Sequence, residues 1–239
     1  MWPLLRRRTL RAMPTGAQAR KHFVVTGSGK CGTHFMQAVL EELGVPTAHE
    51  GILEYHPVTV PAWGRVRGDS SWPAATHLHV LEPDTPVLHL VRDLRAVVNA
   101  RFGEHKLADN HREHVIRNFV RKHMPDVFAD ANDELGRTLL FVERWNRSLD
   151  RTPNERPHLR YARRRVEDIS TDPVVLDDVV EFLAGERPGP AACAAAVHRV
   201  GTAVGRRSEH ADLTWADISA HPDGAGLVQL AVAYGYTPG

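Results

Sequence analysis

Two hydrophobic patterns alternate along the chain: short continuous apolar runs and longer stripes with helical spacing. One run, at residues 23–26, passes through a glycine-rich turn into a helical stripe that Gly44 ends. Another, at residues 87–91, leads into a helical stripe at residues 94–102. Short apolar runs are typical of strands buried on both faces, and strands that alternate with helices pair in parallel. The chain therefore predicts an α/β fold, a three-layer sandwich around a central, mostly parallel sheet.

The same patterns assign the remaining segments. They predict strands at residues 45–50 and 158–161, a long loop with short helical turns at 51–75, and helices at 104–123, 133–149, 173–183 and 222–234. Asp172 and Pro173 suit the cap and first turn of the helix at 173–183. In such sheets, ligands bind beyond the carboxyl ends of the strands, so we expect the glycine-rich turn and Arg92 at one edge.

Composition limits the number of domains and the class of partner. The chain has 239 residues, of which 42% are apolar, which suits one domain, residues 22–239, behind a basic arm, residues 1–21. With 30 basic and 29 acidic residues the net charge is +1, so nothing favours nucleic acid as a partner. Contact of the arm with anionic lipid is an alternative to a solvated arm. Two cysteines form no disulfide framework and fit a cytoplasmic location, and no segment predicts a transmembrane helix.

The glycine-rich turn has the composition of an anion site. Gly27, Gly29 and Gly32 let backbone amides approach a phosphate, and the following helix contributes its N-terminal dipole. Lys30 supplies positive charge, but it lies inside the turn, whereas a nucleoside-triphosphate loop has its lysine directly after the last glycine. Thr33 occupies that place instead. The spacing therefore disfavours an ordinary ATPase.

Two separated segments carry a resemblance to a known family. Lys30-Cys31-Gly32-Thr33 resembles the 5′-phosphosulfate loop of sulfotransferases that use 3′-phosphoadenosine 5′-phosphosulfate (PAPS) as donor, and residues 87–101 look like the family's 3′-phosphate segment. Weaker similarity continues through Trp145 and residues 166–168, 213–215 and 234–236. The resemblance implies that the donor is bound by Ser28, Gly29, Lys30, Cys31, Gly32, Thr33, His34 and Arg92, with Arg206 and Arg207 closing from the C-terminal side.

One position departs from the family's pattern. Where the family usually has a serine that binds the 3′-phosphate, this chain has Ala100. Loss of one hydrogen bond to a charged group costs about 1.5–3 kcal/mol, so the departure bears on donor affinity. Asn99 and Arg101 are candidates to compensate, although Asn99 lies about 100° away around the helix.

The expected chemistry needs a cation at the leaving phosphate and a base for the acceptor. Lys30 is expected to stabilise charge on the bridging oxygen, and the alternative is that it only binds the 5′-phosphate. Glu50, at the end of the second strand, is the expected base, in line with the resemblance to carboxylate-base sulfotransferases. His49 is the rival base. Both could instead be ordinary strand-end residues.

Histidine and cysteine open two further alternatives. The chain has 15 histidines, but their spacing lacks the signature of a tetrahedral metal site, so no metal is expected. Cys31 precedes a helix beside Lys30, which predicts a lowered thiol pKa and leaves a redox or nucleophilic role open. The alternative is that Cys31 is a small residue in place of the family's serine.

The sequence thus predicts a sulfotransferase of the bacterial, soluble type that moves a sulfuryl group from PAPS to a hydroxyl, leaving the 3′,5′-bisphosphate PAP. The acceptor is a small molecule, glycan, lipid or natural product. The alternatives are a P-loop kinase of small molecules and a PAP-binding protein without turnover. Acceptor identity and oligomeric state have no signature in the sequence.

Overall fold

A computed structural model describes residues 22–111, 113–201 and 211–238. Arg206, Arg207 and the basic arm lie outside these residues. Within the described ranges the strands are Phe23–Thr26 (β1), Thr47–His49 (β2), Gly68–Ser70 (β3), Pro86–Val91 (β4) and Arg160–Arg165 (β5). They form one sheet in the order β2-β3-β1-β4-β5, and each neighbouring pair is parallel. The predicted α/β class with a parallel sheet is confirmed.

Helices follow or precede the strands along most of the chain. The α-helices are Thr33–Glu42 (α1), Leu94–Phe102 (α2), Val115–His123 (α3), Pro125–Asp130 (α4), Glu134–Asp150 (α5), Thr152–Glu155 (α6), Val166–Thr171 (α7), Pro173–Ala184 (α8), Pro190–Gly201 (α9), Trp215–Ala220 (α10) and Ala225–Ala233 (α11). Short 3₁₀ helices cover Pro73–Val80 and Asp109–His111.

The sheet has an apolar core on each face. Alternate residues of β4 point to opposite sides, so that Val87 and Val91 join one core while Leu88 and Leu90 join the other. Helices α2, α5 and α11 pack on the first side, and α1, α8 and α9 pack on the second. This arrangement is consistent with a three-layer sandwich.

Elements with strong apolar periodicity lie where the sequence predicts them. The helix predicted at residues 94–102 is α2, with the same bounds. The strand predicted at 87–91 is β4, one residue longer. Asp172 caps α8 as expected, since its side chain accepts a hydrogen bond from the Val174 amide at 2.9 Å.

Three predicted elements are wrong in part. Residues 51–75 contain a strand, β3. Its Gly68 has no Cβ and packs against the ring of Phe23, and the buried carboxylate of Asp69 accepts hydrogen bonds from amides of the preceding loop. The helix predicted to start at residue 104 starts at Val115, where His114 caps it. The strand predicted at 158–161 is β5, two residues later at its start and four at its end, since its arginine-rich and partly exposed residues form no apolar run.

Helices in the described ranges are too short or too polar to cross a bilayer. The longest of them, α5, has 17 residues and carries a charged outer face.

Candidate functional site

The glycine-rich turn, residues 27–32, connects β1 to α1 at the carboxyl edge of the sheet. Its backbone is left-handed at Gly29 (φ 71°), Lys30 (φ 58°) and Gly32 (φ 103°). Gly27 is required for a different reason, because a Cβ there would lie 2.3 Å from the carbonyl oxygen of Leu90 on β4. Left-handed residues are typical of turns whose backbone amides face one concavity, and this turn leads into the N-terminus of a ten-residue helix. The turn is therefore a candidate anion site.

Arg92 comes from the neighbouring strand and reaches this turn. Strands β1 and β4 pair directly, with Thr26 opposite His89. At the end of β4, the Nη1 of Arg92 donates to the carbonyl oxygen of Lys30 at 3.2 Å. The carboxylate of Asp93 caps α2 by accepting from the Arg95 amide at 2.9 Å. The two segments that the resemblance singles out thus meet at one edge of the sheet, where Arg92 contacts the backbone of Lys30.

Glu104 is the centre of the charges around Lys30. Its carboxylate bonds to the ammonium of Lys30, lies 3.0 Å from the Nζ of Lys106 and 3.8 Å from the Nη1 of Arg101. Burial raises the pKa of Glu104, but the hydrogen bonds from Lys30 and Lys106 outweigh burial and leave that pKa below its usual value. Three cations therefore surround one carboxylate, and the cluster keeps an excess of positive charge.

Arg101 lies beneath the glycine-rich turn. A Cβ on Gly29 would come within 2.3 Å of its Nη2, and its side chain is almost fully buried. The guanidinium lies over the rings of Trp72 at 5.5 Å and Phe141 at 5.6 Å. Its Nε has no hydrogen-bond partner among the described residues. A buried guanidinium in this position contributes positive potential to the turn.

Glu50 follows β2 at the same edge and is half-buried. Its carboxylate accepts a hydrogen bond from the hydroxyl of Tyr55 at 3.1 Å. Burial raises the pKa of Glu50, and the Tyr55 bond and the charge of Arg101 oppose that shift only in part. A carboxylate with a raised pKa is better matched to taking up a proton near neutral pH.

His49 lies closer to α1. Its Nε2 is 3.4 Å from the Oγ1 of Thr33, and its ring centroid is 5.0 Å from that of His34. Burial lowers the pKa of His49, and the neighbouring His34 lowers it further. His34 itself is exposed in the first turn of α1, and Ser28 is buried in the turn before it. The structure brings both candidate bases to the edge that carries Lys30.

The prediction of a lowered thiol pKa for Cys31 is wrong. The side chain is fully buried, next to Gly27, and burial raises the pKa of the thiol to about 11. Amides of the turn and the charge of Arg92 favour the thiolate, but desolvation outweighs them. Cys31 is thus a small packing residue in this structure.

The residues near Ala100 have contacts of their own. Ala100 is buried in α2. The side chain of Asn99 is committed to the backbone of Leu213, accepting from its amide at 2.9 Å and donating to its carbonyl at 3.0 Å. Arg101 faces the turn at Gly29. The two candidate replacements for the missing serine therefore have other contacts: Asn99 with Leu213, and Arg101 with the turn at Gly29.

The C-terminal segments named in the resemblance converge on the same edge. Glu167 accepts from the amide of Asp93 at 2.9 Å with one oxygen and from the hydroxyl of Tyr236 at 2.8 Å with the other. Val166 packs against Gly32, where a Cβ would lie 2.8 Å from its Cγ2. Val166, Glu167 and Tyr236 thus support the turns that carry Lys30 and Arg92, and Leu213 bonds to Asn99 of α2.

Metal ligands are not grouped in the part of the chain that the structure describes: no three His, Cys, Asp or Glu side chains converge there. A cleft of about 540 Å³ lies elsewhere, lined by Arg144, Trp145, Arg147 and Arg151 of α5 and its end. The neighbouring carboxylates Asp126, Asp130, Glu143 and Glu155 pair with those arginines, so the cleft is balanced in charge. The glycine-rich turn is the better candidate for binding an anion.

The chain matches no family model and no curated protein. Its candidate function therefore depends on the residues and their geometry alone.

The sequence did not predict the residues that contact Lys30 and Glu50. Glu104 and Lys106 fall in a segment predicted as helix, and Tyr55 falls in the loop predicted at 51–75. The only sequence signal for Glu104 and Lys106 is a cluster of charges directly after Gly103 ends α2. Tyr55 has no such signal, because its contact with Glu50 depends on how the loop folds back.

Proposed function

We propose that this chain is a PAPS-dependent sulfotransferase. The observation that carries the proposal is the hydrogen bond from Arg92 to the carbonyl oxygen of Lys30. A donor with phosphates at both ends of one adenosine needs two cationic positions that are close together yet separate. The end of β4 and the turn after β1 provide them.

The donor's 5′-phosphosulfate is assigned to the turn at residues 28–34. Amides at the start of α1, the left-handed glycines and Lys30 all favour negative charge there. Arg92 is assigned to the 3′-phosphate, which suits its planar pair of donors. The carboxylate of Glu104 pairs with the ammonium of Lys30, so donor binding at Lys30 exchanges a carboxylate partner for a phosphosulfate partner.

The proposed reaction is an in-line transfer. The acceptor's hydroxyl oxygen forms a bond to sulfur while the bond from sulfur to the bridging oxygen breaks, and PAP leaves. Lys30 stabilises the charge that grows on that oxygen, an effect typically worth about 10²–10³ in rate for one such donor. The hydroxyl proton passes to Glu50, whose pKa burial raises. Glu50 is preferred in line with the resemblance to carboxylate-base sulfotransferases, and His49, whose pKa burial lowers, is the rival.

Ligand-induced stabilisation tests the donor class. We expect PAP to raise the melting temperature more than ADP or ATP does, with or without magnesium, because a ligand at 100 times its Kd stabilises the folded chain by about 2.7 kcal/mol. Preference for ATP with magnesium would favour a small-molecule kinase. Binding of PAP without release of PAP from PAPS, across a panel of hydroxyl acceptors, would indicate a binding protein without turnover.

A further inference from the structure

The backbone at Glu50 is held in an unusual conformation. Its φ is 51°, in the left-handed region, where side chains with a Cβ are rarely found. Non-glycine residues keep such conformations only when the surroundings hold them there, and they concentrate at functional sites. The contacts of the following loop show what holds this one.

The loop after Glu50 is anchored on β3 and on the residue that follows it. The buried carboxylate of Asp69 accepts from the amides of Gly51 at 3.4 Å and Leu53 at 2.8 Å. The hydroxyl of Ser71 donates to the carbonyl oxygen of Leu53 at 2.6 Å. These bonds fix the path of the chain from Glu50 to residue 53, and they bring Tyr55 back over Glu50.

Tyr55 connects Glu50 to the core through a directed pair of hydrogen bonds. The indole Nε1 of Trp72 can only donate, so the phenolic oxygen of Tyr55 accepts that bond at 3.0 Å. The hydroxyl proton is then free to point at the Oε2 of Glu50, 3.1 Å away. Trp72 is itself buried among aromatic rings, with Phe141 and Trp145 at 5.8 and 5.0 Å between centroids. The donor to Glu50 is therefore anchored in the core.

The charges that face Glu50 come from three other elements. Arg101 of α2 and Lys106 of the following turn favour its ionised form, and Asp69 of β3 disfavours it. Burial disfavours the ionised form most. Arg101, Lys106 and Asp69 act on the Glu50 carboxylate through their charge, whereas Tyr55 donates a direct hydrogen bond to it.

We propose that Tyr55 is the positioning residue for Glu50: its hydroxyl, held by Trp72, orients the carboxylate toward the acceptor and keeps it ionised until the acceptor proton arrives. The role of Glu50 as base rests on the proposed function, whereas the hydrogen-bond chain does not. The proposal assigns no contact between Tyr55 and the reacting atoms. It accounts for a left-handed glutamate, a buried tryptophan donor and a loop anchored on a buried aspartate.

Titration of the Glu50 carboxyl by ¹³C NMR tests the chain directly, with Glu50→Gln to assign the signal. In Tyr55→Phe the ring still packs against Phe119, and loss of the hydroxyl should raise the pKa of Glu50 by about half a unit or more. Tyr234→Phe is the matched control, since it removes another tyrosine–carboxylate bond, to Asp150 at the end of α5, at 2.8 Å. A pKa of Glu50 that stays within about 0.2 of the wild-type value in Tyr55→Phe would overturn the proposal.

A variant that keeps the hydroxyl covers the case in which Tyr55→Phe does not fold. Replacing tyrosine throughout by 3-fluorotyrosine makes the phenol a stronger donor, so the pKa of Glu50 should fall. An unchanged or raised pKa in the fluorinated chain would contradict the assigned direction of the bond.

Kinetics separates this proposal from the assignment of function. With a working acceptor, the acid limb of kcat/KM should move to higher pH in Tyr55→Phe by the shift that NMR records, and Tyr234→Phe should leave it in place. A limb that stays in place while the NMR pKa moves would remove Glu50 from catalysis and overturn the positioning role. If the pKa moves but wild-type chain transfers nothing from PAPS, the sulfotransferase assignment fails and the hold of Tyr55 on Glu50 stands.

Discussion

At the scale of single residues, the site depends on how three cations share two carboxylates. Lys30, Lys106 and Arg101 lie around Glu104, and two of the three also act on Glu50. The pKa values of the two carboxylates move in opposite directions, since ammonium groups lower that of Glu104 while burial raises that of Glu50. One carboxylate is therefore suited to hold a cation and the other to take up a proton.

Lys30→Ala tests the assignment of Lys30 to the leaving phosphate. We expect kcat with PAPS to fall by about 10²–10³, because the charge on the bridging oxygen loses its partner, while PAP binding weakens much less. Steady-state kinetics and PAP titration measure the two effects. Lys122→Ala, at an exposed lysine of α3, is the control and should change neither. If kcat is unchanged while kcat/KM and PAP affinity fall by the same factor, Lys30 binds the 5′-phosphate and has no role in the transfer step.

Glu104→Gln tests whether Glu104 competes with the donor for Lys30. Two unit charges at about 4 Å interact by about 1 kcal/mol in water, so removing the charge of Glu104 should let PAP bind about fivefold tighter at low salt. The gain should shrink as salt screens the site. Calorimetric titration at two ionic strengths measures it, with Glu82→Gln, an exposed glutamate, as the control. Weaker PAP binding in Glu104→Gln would mean that the carboxylate positions Lys30 for the donor.

At the scale of elements, the accuracy of the sequence prediction follows the strength of the hydrophobic pattern. The strand β4 and the helix α2 carry continuous apolar or helically spaced residues, and both lie where they are predicted. The strand β3 consists of Gly68, Asp69 and Ser70, which are buried through backbone pairing and polar contacts rather than through apolar side chains. Single-sequence periodicity cannot detect such a strand.

The candidate site divides in the same way. The sequence showed the glycine spacing of the turn, because left-handed backbone restricts residue type. It also showed Lys30 within the turn and Arg92 directly after an apolar strand. Tyr55 and Glu104 were not visible, since each depends on a loop returning to a distant element. The burial that raises the pKa of Cys31 was equally hidden, as it comes from packing between β1, β4 and α1.

Asn99 tests how α2 supports the C-terminal segment. Asn99→Ala removes two hydrogen bonds to Leu213 and leaves its backbone groups without partners, so we expect a loss of about 1–3 kcal/mol in unfolding free energy. Urea unfolding measures that loss, and amide exchange should accelerate at residues 211–214. Asn118→Ala, at an exposed position of α3, should change neither. Unchanged exchange at 211–214 would show that other contacts hold this segment.

At the scale of the whole molecule, a second polar network joins strands β4 and β5 to the end of α5 and to the residue after α11. Asp150, at the end of α5, bonds to Arg163 of β5 at 2.7 Å and to the hydroxyl of Tyr234 at 2.8 Å. The ring of His89 on β4 lies 3.4 Å from the same carboxylate. Burial raises the pKa of Asp150, but the bonds from His89, Arg163 and Tyr234 outweigh it and lower the pKa to about 2.

Acid unfolding should report this network. Because the pKa of Asp150 is lower in the folded chain than in the unfolded chain, where it is about 3.9, its contribution is present above that value. It is lost as pH falls toward about 2, and it amounts to about 2 kcal/mol. Asp150→Asn should therefore flatten the fall of unfolding free energy between about pH 5 and pH 2. Asp212→Asn, at an exposed aspartate, is the control, and a fall as steep in Asp150→Asn as in wild type would contradict the assignment.

The central claim is that one doubly phosphorylated adenosine spans the turn after β1 and the end of β4. Calorimetric titration of PAP and of adenosine 5′-monophosphate, on wild type and on Arg92→Ala, tests it most directly. We expect wild type to prefer PAP by about tenfold or more, since a charge-assisted bond to the 3′-phosphate is worth about 1.5–3 kcal/mol, and Arg92→Ala to lose that preference. A preference for PAP that survives in Arg92→Ala, or its absence in wild type, would contradict the claim.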